Sequence, residues 1–185
     1  MEKRLIGSEE IAGVLPGPIA LVTTVNGNGH ANVAPKSWIS GVTRNLLVIG
    51  CHRDHHTAQN LLANGECVLN FPADDLVHQV WDAHLYREPG PNELEARGFT
   101  PLPALQVRPP RIAECRIHIE GRLESVKWYG DECVLFVETL CTSVDAAALE
   151  SPDPCTHLRP IFYLAPGTFG VLERSHALTR KEKEA

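Results

Sequence analysis

The sequence predicts a mainly β, antiparallel barrel with a few short helices, and two observations carry that expectation. Short apolar runs are bounded by Gly, Pro and Asn turn signals, and one long segment after residue 112 alternates between apolar and polar side chains over a dozen positions. Short strands joined by hairpins, with little helical periodicity between them, favour a closed or split antiparallel sheet over an α/β layer. At 185 residues with 43% hydrophobic content the chain reads as one domain over residues 1–185, with its core over about 14–173 and a charged tail over 174–185.

The first strand spans Pro18 to Val25, and Asn26-Gly27-Asn28-Gly29 supplies the positive φ angles of a tight hairpin. The return strand runs from near His30 to Pro35, which lacks an N–H and so belongs at an edge or a bulge. Leu46 to Cys51 and Glu66 to Phe71 are the next strands. Between them Thr57 to Asn64 predicts a helix, with Gly65 just past its end. A second short helix is expected over Asp74 to Ala83.

Prolines at 89, 91, 101, 103, 109 and 110 make residues 87–111 an excursion loop, with one helical turn over Glu93 to Arg97. From Ala113 the apolar residues Cys115, Ile117, Ile119 and Leu123 alternate with Glu114, Arg116, His118, Glu120 and Arg122, which predicts a half-buried strand with its polar face to solvent. The phase shifts at Val126 and Trp128 and implies a bulge. After the Tyr129-Gly130-Asp131 turn, the unbroken apolar run Cys133 to Val137 predicts a strand buried on both faces. Ile161 to Leu164 and Thr168 to Leu172 complete the strands.

Net charge of −6 and scattered basic residues give no footprint for nucleic acid. No apolar run reaches the roughly 20 residues of a membrane span, and Met1-Glu2-Lys3-Arg4 is followed by too short an apolar stretch for an export signal. A cytoplasmic protein is expected. Six cysteines, mostly within apolar runs and never in a Cys-x-x-Cys pair, read as buried reduced thiols. His52, His55 and His56 lack a carboxylate at ligand spacing on a shared helix face, so no metal is expected.

Two segments hold the candidate chemistry. Cys51-His52-Arg53-Asp54-His55-His56-Thr57 joins a strand to a helix N-terminus, where free N–H groups, the helix dipole, Arg53 and the Thr57 hydroxyl suit an anion. The alternative makes Asp54 or Thr57 an ordinary N-cap. Asn32 to Ser40 carries hydroxyls and Trp38, which either hold a planar ring or fill the core.

Taken in order, Pro18-Ile19-Ala20-Leu21-Val22-Thr23-Thr24, Asn32-Val33-Ala34-Pro35-Lys36-Ser37-Trp38, His56-Thr57-Ala58-Gln59-Asn60-Leu61 and Cys67-Val68-Leu69-Asn70-Phe71-Pro72 resemble the flavin reductase-like, flavoredoxin-type FMN-binding split-barrel family. Pro110 to Cys115, His118 ahead of Gly121, and Pro160 to Leu164 with Gly170 extend the resemblance over roughly residues 14–173. Arg44-Asn45-Leu46-Leu47 and Ala165-Pro166-Gly167 depart from the Asp-Pro-Pro and Gly-Gly turns common in that family.

The resemblance implies a Greek-key split barrel that binds FMN. Ala34, Pro35, Lys36, Ser37, Trp38 and Ile39 would line the isoalloxazine and ribityl chain, Arg53, His56 and Thr57 would meet the phosphate, and His118 would lie near the flavin face or a partner subunit. It implies transfer of electrons from NADH or NADPH to a flavin or a redox protein, and the apolar Cys133 to Val137 strand on a small barrel leaves surface that predicts a homodimer. An FMN electron carrier that does not oxidise nicotinamide, and a cofactor-free interaction domain, remain alternatives. No residue is assigned a catalytic role, because the cofactor carries the redox chemistry.

Overall fold

The computed structural model describes residues 5, 7, 15–85 and 90–174. Twelve strands and five helices follow one another among them. In chain order they are β1 (Gly17–Pro18), β2 (Ala20–Val25), β3 (Ala31–Lys36), β4 (Ile39–Gly41), β5 (Leu46–His52), α1 (His56–Asn64), β6 (Glu66–Phe71), α2 (Val77–His84) and α3 (Glu93–Ala96). There follow β7 (Pro101–Leu102), β8 (Arg111–Ile112), β9 (Ile117–Tyr129), β10 (Glu132–Val144), α4 (Ala146–Glu150), α5 (Pro154–Leu158), β11 (Ile161–Ala165) and β12 (Thr168–Val171).

Seven strands form one curled antiparallel sheet in the order β3-β2-β6-β9-β10-β5-β4, and β1-β11-β12 form a second. The β9–β10 hairpin inserts between β6 and β5, the two strands that α1 connects, so the chain forms a split barrel of Greek-key character. Pro35 sits on β3, the sheet's edge, where its missing N–H breaks no ladder. Gly65 ends α1 at φ 74° and returns its N–H to the Leu61 carbonyl.

Every residue of β2 is buried, because its two faces enter two different cores. Ala20 and Val22 join Leu47, Ile49, Leu69, Leu135 and α1's Ala58 and Leu61 inside the barrel. Ile19 and Leu21 flank them on the other side, with Val33, Val80, Leu94, Phe99, Ile112 and Ile161. This second core lets α2 and α3 pack against β3 and leaves room for a cleft there.

Four expectations are corrected. In β10, Cys133, Leu135 and Val137 enter the core while Val134 and Phe136 remain half-exposed, so the run is buried on one face only. β9 begins at Ile117 rather than Ala113, and only the second half of its polar phase faces solvent: Arg122 and Glu124 are exposed, whereas His118 and Glu120 are buried. The excursion covers them, with Glu120 accepting from the N–H groups of Leu105 and Gln106 and His118 Nε2 meeting the Ile112 carbonyl at 2.9 Å. The excursion also contains the β7–β8 pair. The second helix starts with a 3-10 turn over Asp74–Leu76, and its Trp81 is exposed while Val80 is buried.

The expected bulge is present. Between Phe136 and Val137 the β10 register skips Glu124 on β9, and a second shift leaves Leu140 unpaired. The four described cysteines that are buried (Cys51, Cys67, Cys115 and Cys133) are free thiols, and burial alone pushes Cys67 up to about 12. The expected charged tail lies outside the described residues from 175 onward.

Candidate functional site

A cleft of about 570 Å³ opens where the edge strand β3 meets the β5–α1 junction on one side and α2, α3 and the β11–β12 hairpin on the other. Of the residues expected to hold a cofactor, Ala34, Pro35, Lys36, Ser37, Trp38, His56 and Thr57 line it. The chain leaves β3 after Lys36, and Trp38 then lies against Gly50. A Cβ at Gly50 would stand 2.9 Å from Trp38 Cβ and 3.0 Å from its Cε3, so glycine is what allows the indole this position.

The N-terminus of α1 carries no side-chain cap. His55 occupies the cap position with extended φ and ψ (−71°, 135°) and makes no capping hydrogen bond. Neither Asp54 nor Thr57 fills that role, so the ordinary-capping alternative does not describe this helix. Thr57 is fully buried and its Oγ1 has no hydrogen-bond partner among the described residues. Buried hydroxyls are nearly always paired, so an orphan on a cleft wall at a helix's positive end is an anion-site signature.

Lys36 Nζ reaches the same place and donates to His55 Nδ1 at 3.1 Å, and Cys51 Sγ lies 3.6 Å from that nitrogen. The inward face of the His55 ring loses hydration and the Lys36 charge adds repulsion, which together lower its pKa to about 4. His55 is therefore neutral at pH 7, with its proton on Nε2. Positive charge at this end of the cleft comes from Lys36 and the helix dipole. Burial raises the Cys51 thiol, so it too is neutral.

Three expected residues lie elsewhere. Arg53 is turned toward the β9–β10 turn: it pairs with Asp131 at 3.2 Å, donates to the Gly130 carbonyl and lies over the Trp128 ring. Ile39 packs against the barrel core. His118 is bound between Ile112 and Ser143 beneath the excursion, and burial lowers its pKa. Each follows from side-chain alternation or a tertiary partner that segment-level reading does not see.

The opposite end of the cleft holds a polar group that sequence reasoning missed. Asn32, Glu93 and Arg97 are each about 5% exposed and hydrogen-bonded together, with Val80, Ala83, Tyr163 and Phe169 as apolar neighbours on the cleft wall. Asn32 and Glu93 are 61 residues apart, and the one local signal was the i, i+4 spacing of Glu93 and Arg97 inside a Pro-rich loop.

Known proteins resemble the chain in sequence and in fold. An uncharacterized protein of Aquifex aeolicus is 29% identical over 144 residues, 74% of each chain. The Bacillus subtilis protein YwrF is 32% identical over 117 residues, 60% of this chain, and the match spans only 57% of its length. Among solved structures, nitrilotriacetate monooxygenase component B from Bacillus cereus superposes with TM-score 0.84 at 22% identity, covering 96% of this chain and 100% of that one. Flavoredoxin of Desulfovibrio vulgaris (Miyazaki F) superposes with TM-score 0.83 at 17% identity, covering 100% and 99%. The sequence profile of the flavin reductase like domain matches residues 12–164, and the chain belongs to that family.

Proposed function

We propose that the chain binds FMN in this cleft, phosphate against the N-terminus of α1, and moves electrons from NADH or NADPH through it to a flavin or redox-protein acceptor. The observation that carries this reading is the buried, unpartnered Thr57 Oγ1 beneath an uncapped helix start, with Lys36 alongside. That donor set fits one terminal phosphate, and it offers no second cradle for the pyrophosphate of FAD. The family and the fold shared with flavoredoxin support a flavin over other phosphate esters.

Bound FMN supplies the redox chemistry. The protein's own residues bind and orient it: Thr57 Oγ1 and the first-turn N–H groups hold the phosphate, Lys36 balances its charge, and Ala34 to Trp38 flank the ribityl chain and one side of the ring. Neutral His55, kept so by burial and by Lys36, accepts the Lys36 proton donor and keeps that ammonium aimed into the cleft.

The test is an anaerobic absorbance titration. Protein loaded with FMN should lose its visible flavin absorbance when NADH or NADPH is added. Loaded protein that dithionite bleaches but neither nicotinamide does would make it an electron carrier. Failure to take up FMN at all would overturn the reading.

A further inference from the structure

The cleft end remote from the N-terminus of α1 is built around an amide whose orientation is fixed. Asn32 Nδ2 donates to both carboxylate oxygens of Glu93, at 3.2 and 3.0 Å. Glu93 also takes Nε of Arg97 at 3.3 Å, and the Arg97 guanidinium is anchored on the Asp82 and Leu85 carbonyls. A carboxylate only accepts, so the nitrogen of the amide must face Glu93 and its oxygen must face away. That oxygen, Asn32 Oδ1, is buried and has no hydrogen-bond partner among the described residues. It therefore presents one acceptor, and no donor, to whatever occupies this part of the cleft.

Two features select the occupant. Val80, Ala83, Tyr163 and Phe169 supply an apolar wall there, which suits a planar ring better than a polyol. Lys36 and Asn32 are four residues apart on β3, about 13 Å along a strand, so a mononucleotide with its phosphate at Lys36 and Thr57 is long enough to set its ring beside Asn32. The oxidised isoalloxazine has a single N–H, the imide at N3.

We propose that Asn32 Oδ1 accepts the N3–H of the bound flavin, with Glu93 as the positioning residue that fixes the amide and Arg97 as its anchor. The proposal rests on the flavin reading above and deepens it: the site recognises an unsubstituted imide. Glu93 acts at one remove, through the Asn32 amide, and touches no cofactor atom in this account.

The test compares FMN with N3-methyl-FMN. The wild-type chain, which needs no variant to fold, should bind FMN about tenfold or more tightly than the methylated analogue, the cost of one unmet buried acceptor. In Asn32→Ala that ratio should fall toward one, because the acceptor is gone and the space left admits the methyl group. In Glu93→Gln the ratio should fall in between, since a glutamine amide can pair with either end of Asn32. Equal wild-type affinity for the two flavins would overturn the Asn32 contact while leaving the FMN reading intact. An unchanged ratio in Glu93→Gln would overturn the positioning role, and binding of neither flavin would take down both readings.

Discussion

Lys36 Nζ stands 3.1 Å from His55 Nδ1, so a strand-end ammonium and a helix-cap imidazole meet at the positive end of α1. Burial of the ring, with the Lys36 charge beside it, should hold the His55 proton far below its ordinary value of 6.5, at about 4, in the free protein. Lys36→Met should raise the midpoint by removing the repulsion, while burial keeps it below 6.5. The sign for stability follows from the same shift. Above about pH 6.5 His55 is neutral whether folded or unfolded, and as pH falls toward 4 the unfolded chain takes the proton first. Stability should fall across that window, with His118, also lowered by burial, contributing in the same direction. Histidine NMR titration paired with urea melts at several pH values checks both statements, and a His55 midpoint near 6.5 would contradict them.

Bound FMN should quench Trp38 and Trp81 more than Trp128, because Trp38 lines the cleft and Trp81 packs edge-on against Phe169 of its wall, whereas Trp128 lies under Arg53 outside it. Trp38→Phe should remove part of the quenching and leave the share that comes from Trp81. Gly50→Ala should weaken FMN binding several-fold, since the new Cβ would displace the indole it now supports. Quenching that survives intact in Trp38→Phe would place a different tryptophan against the ring.

Glu120 should be a fastening point for the excursion. It is 1% exposed, accepts from two backbone N–H groups of that segment and lies 3.8 Å from Arg111 Nε. Glu120→Ala should cost about 2 to 4 kcal/mol of stability, the order expected when buried charge-assisted hydrogen bonds lose their acceptor. Faster proteolysis within residues 101–112 should accompany it. A change under about 1 kcal/mol would mean that the excursion is held by other contacts.

The strand pattern was legible in the sequence wherever a segment's own residues decide its structure. The Asn-Gly turn, Pro35 at an edge, the α1 stop at Gly65 and the bulge ahead of Val126 are all local chemistry. What escaped depends on a partner distant in the chain. His118 and Glu120 read as a solvent face because the segment that covers them carries no strand-like pattern of its own, and Arg53 read as a phosphate donor because Asp131 and Trp128 lie on a hairpin almost eighty residues on. The short helices α4 and α5 were missed for a related reason: each has only five residues, too few for a hydrophobic period to register. Asn32 stood inside a segment singled out from the sequence, yet its importance comes from Glu93 and the excursion.

A homodimer is proposed on the outer face of β5 and β10. Cross-strand pairing puts Val134 beside Gly50 and Phe136 beside Val48, and Trp38 lies over Gly50, so these half-exposed or exposed apolar side chains share one surface. Light scattering at micromolar concentration should report twice the chain mass of 20.3 kDa. A monomer that still takes up FMN would remove the dimer from the account.

The central claim is that the α1 N-terminus holds the phosphate of FMN, and the most direct measurement is flavin affinity in Thr57→Val and Arg53→Ala, with FMN and with phosphate-free riboflavin. Thr57→Val keeps the side-chain shape and removes the orphan hydroxyl, so FMN binding should weaken about tenfold or more, the order of one charge-assisted hydrogen bond, while riboflavin binding stays unchanged. Arg53→Ala should leave FMN affinity within about twofold, because that side chain is committed to an exposed pair with Asp131. Unchanged FMN affinity in Thr57→Val, or an equal loss of riboflavin affinity in that variant, would contradict the phosphate assignment, and a larger loss in Arg53→Ala would return that side chain to the phosphate.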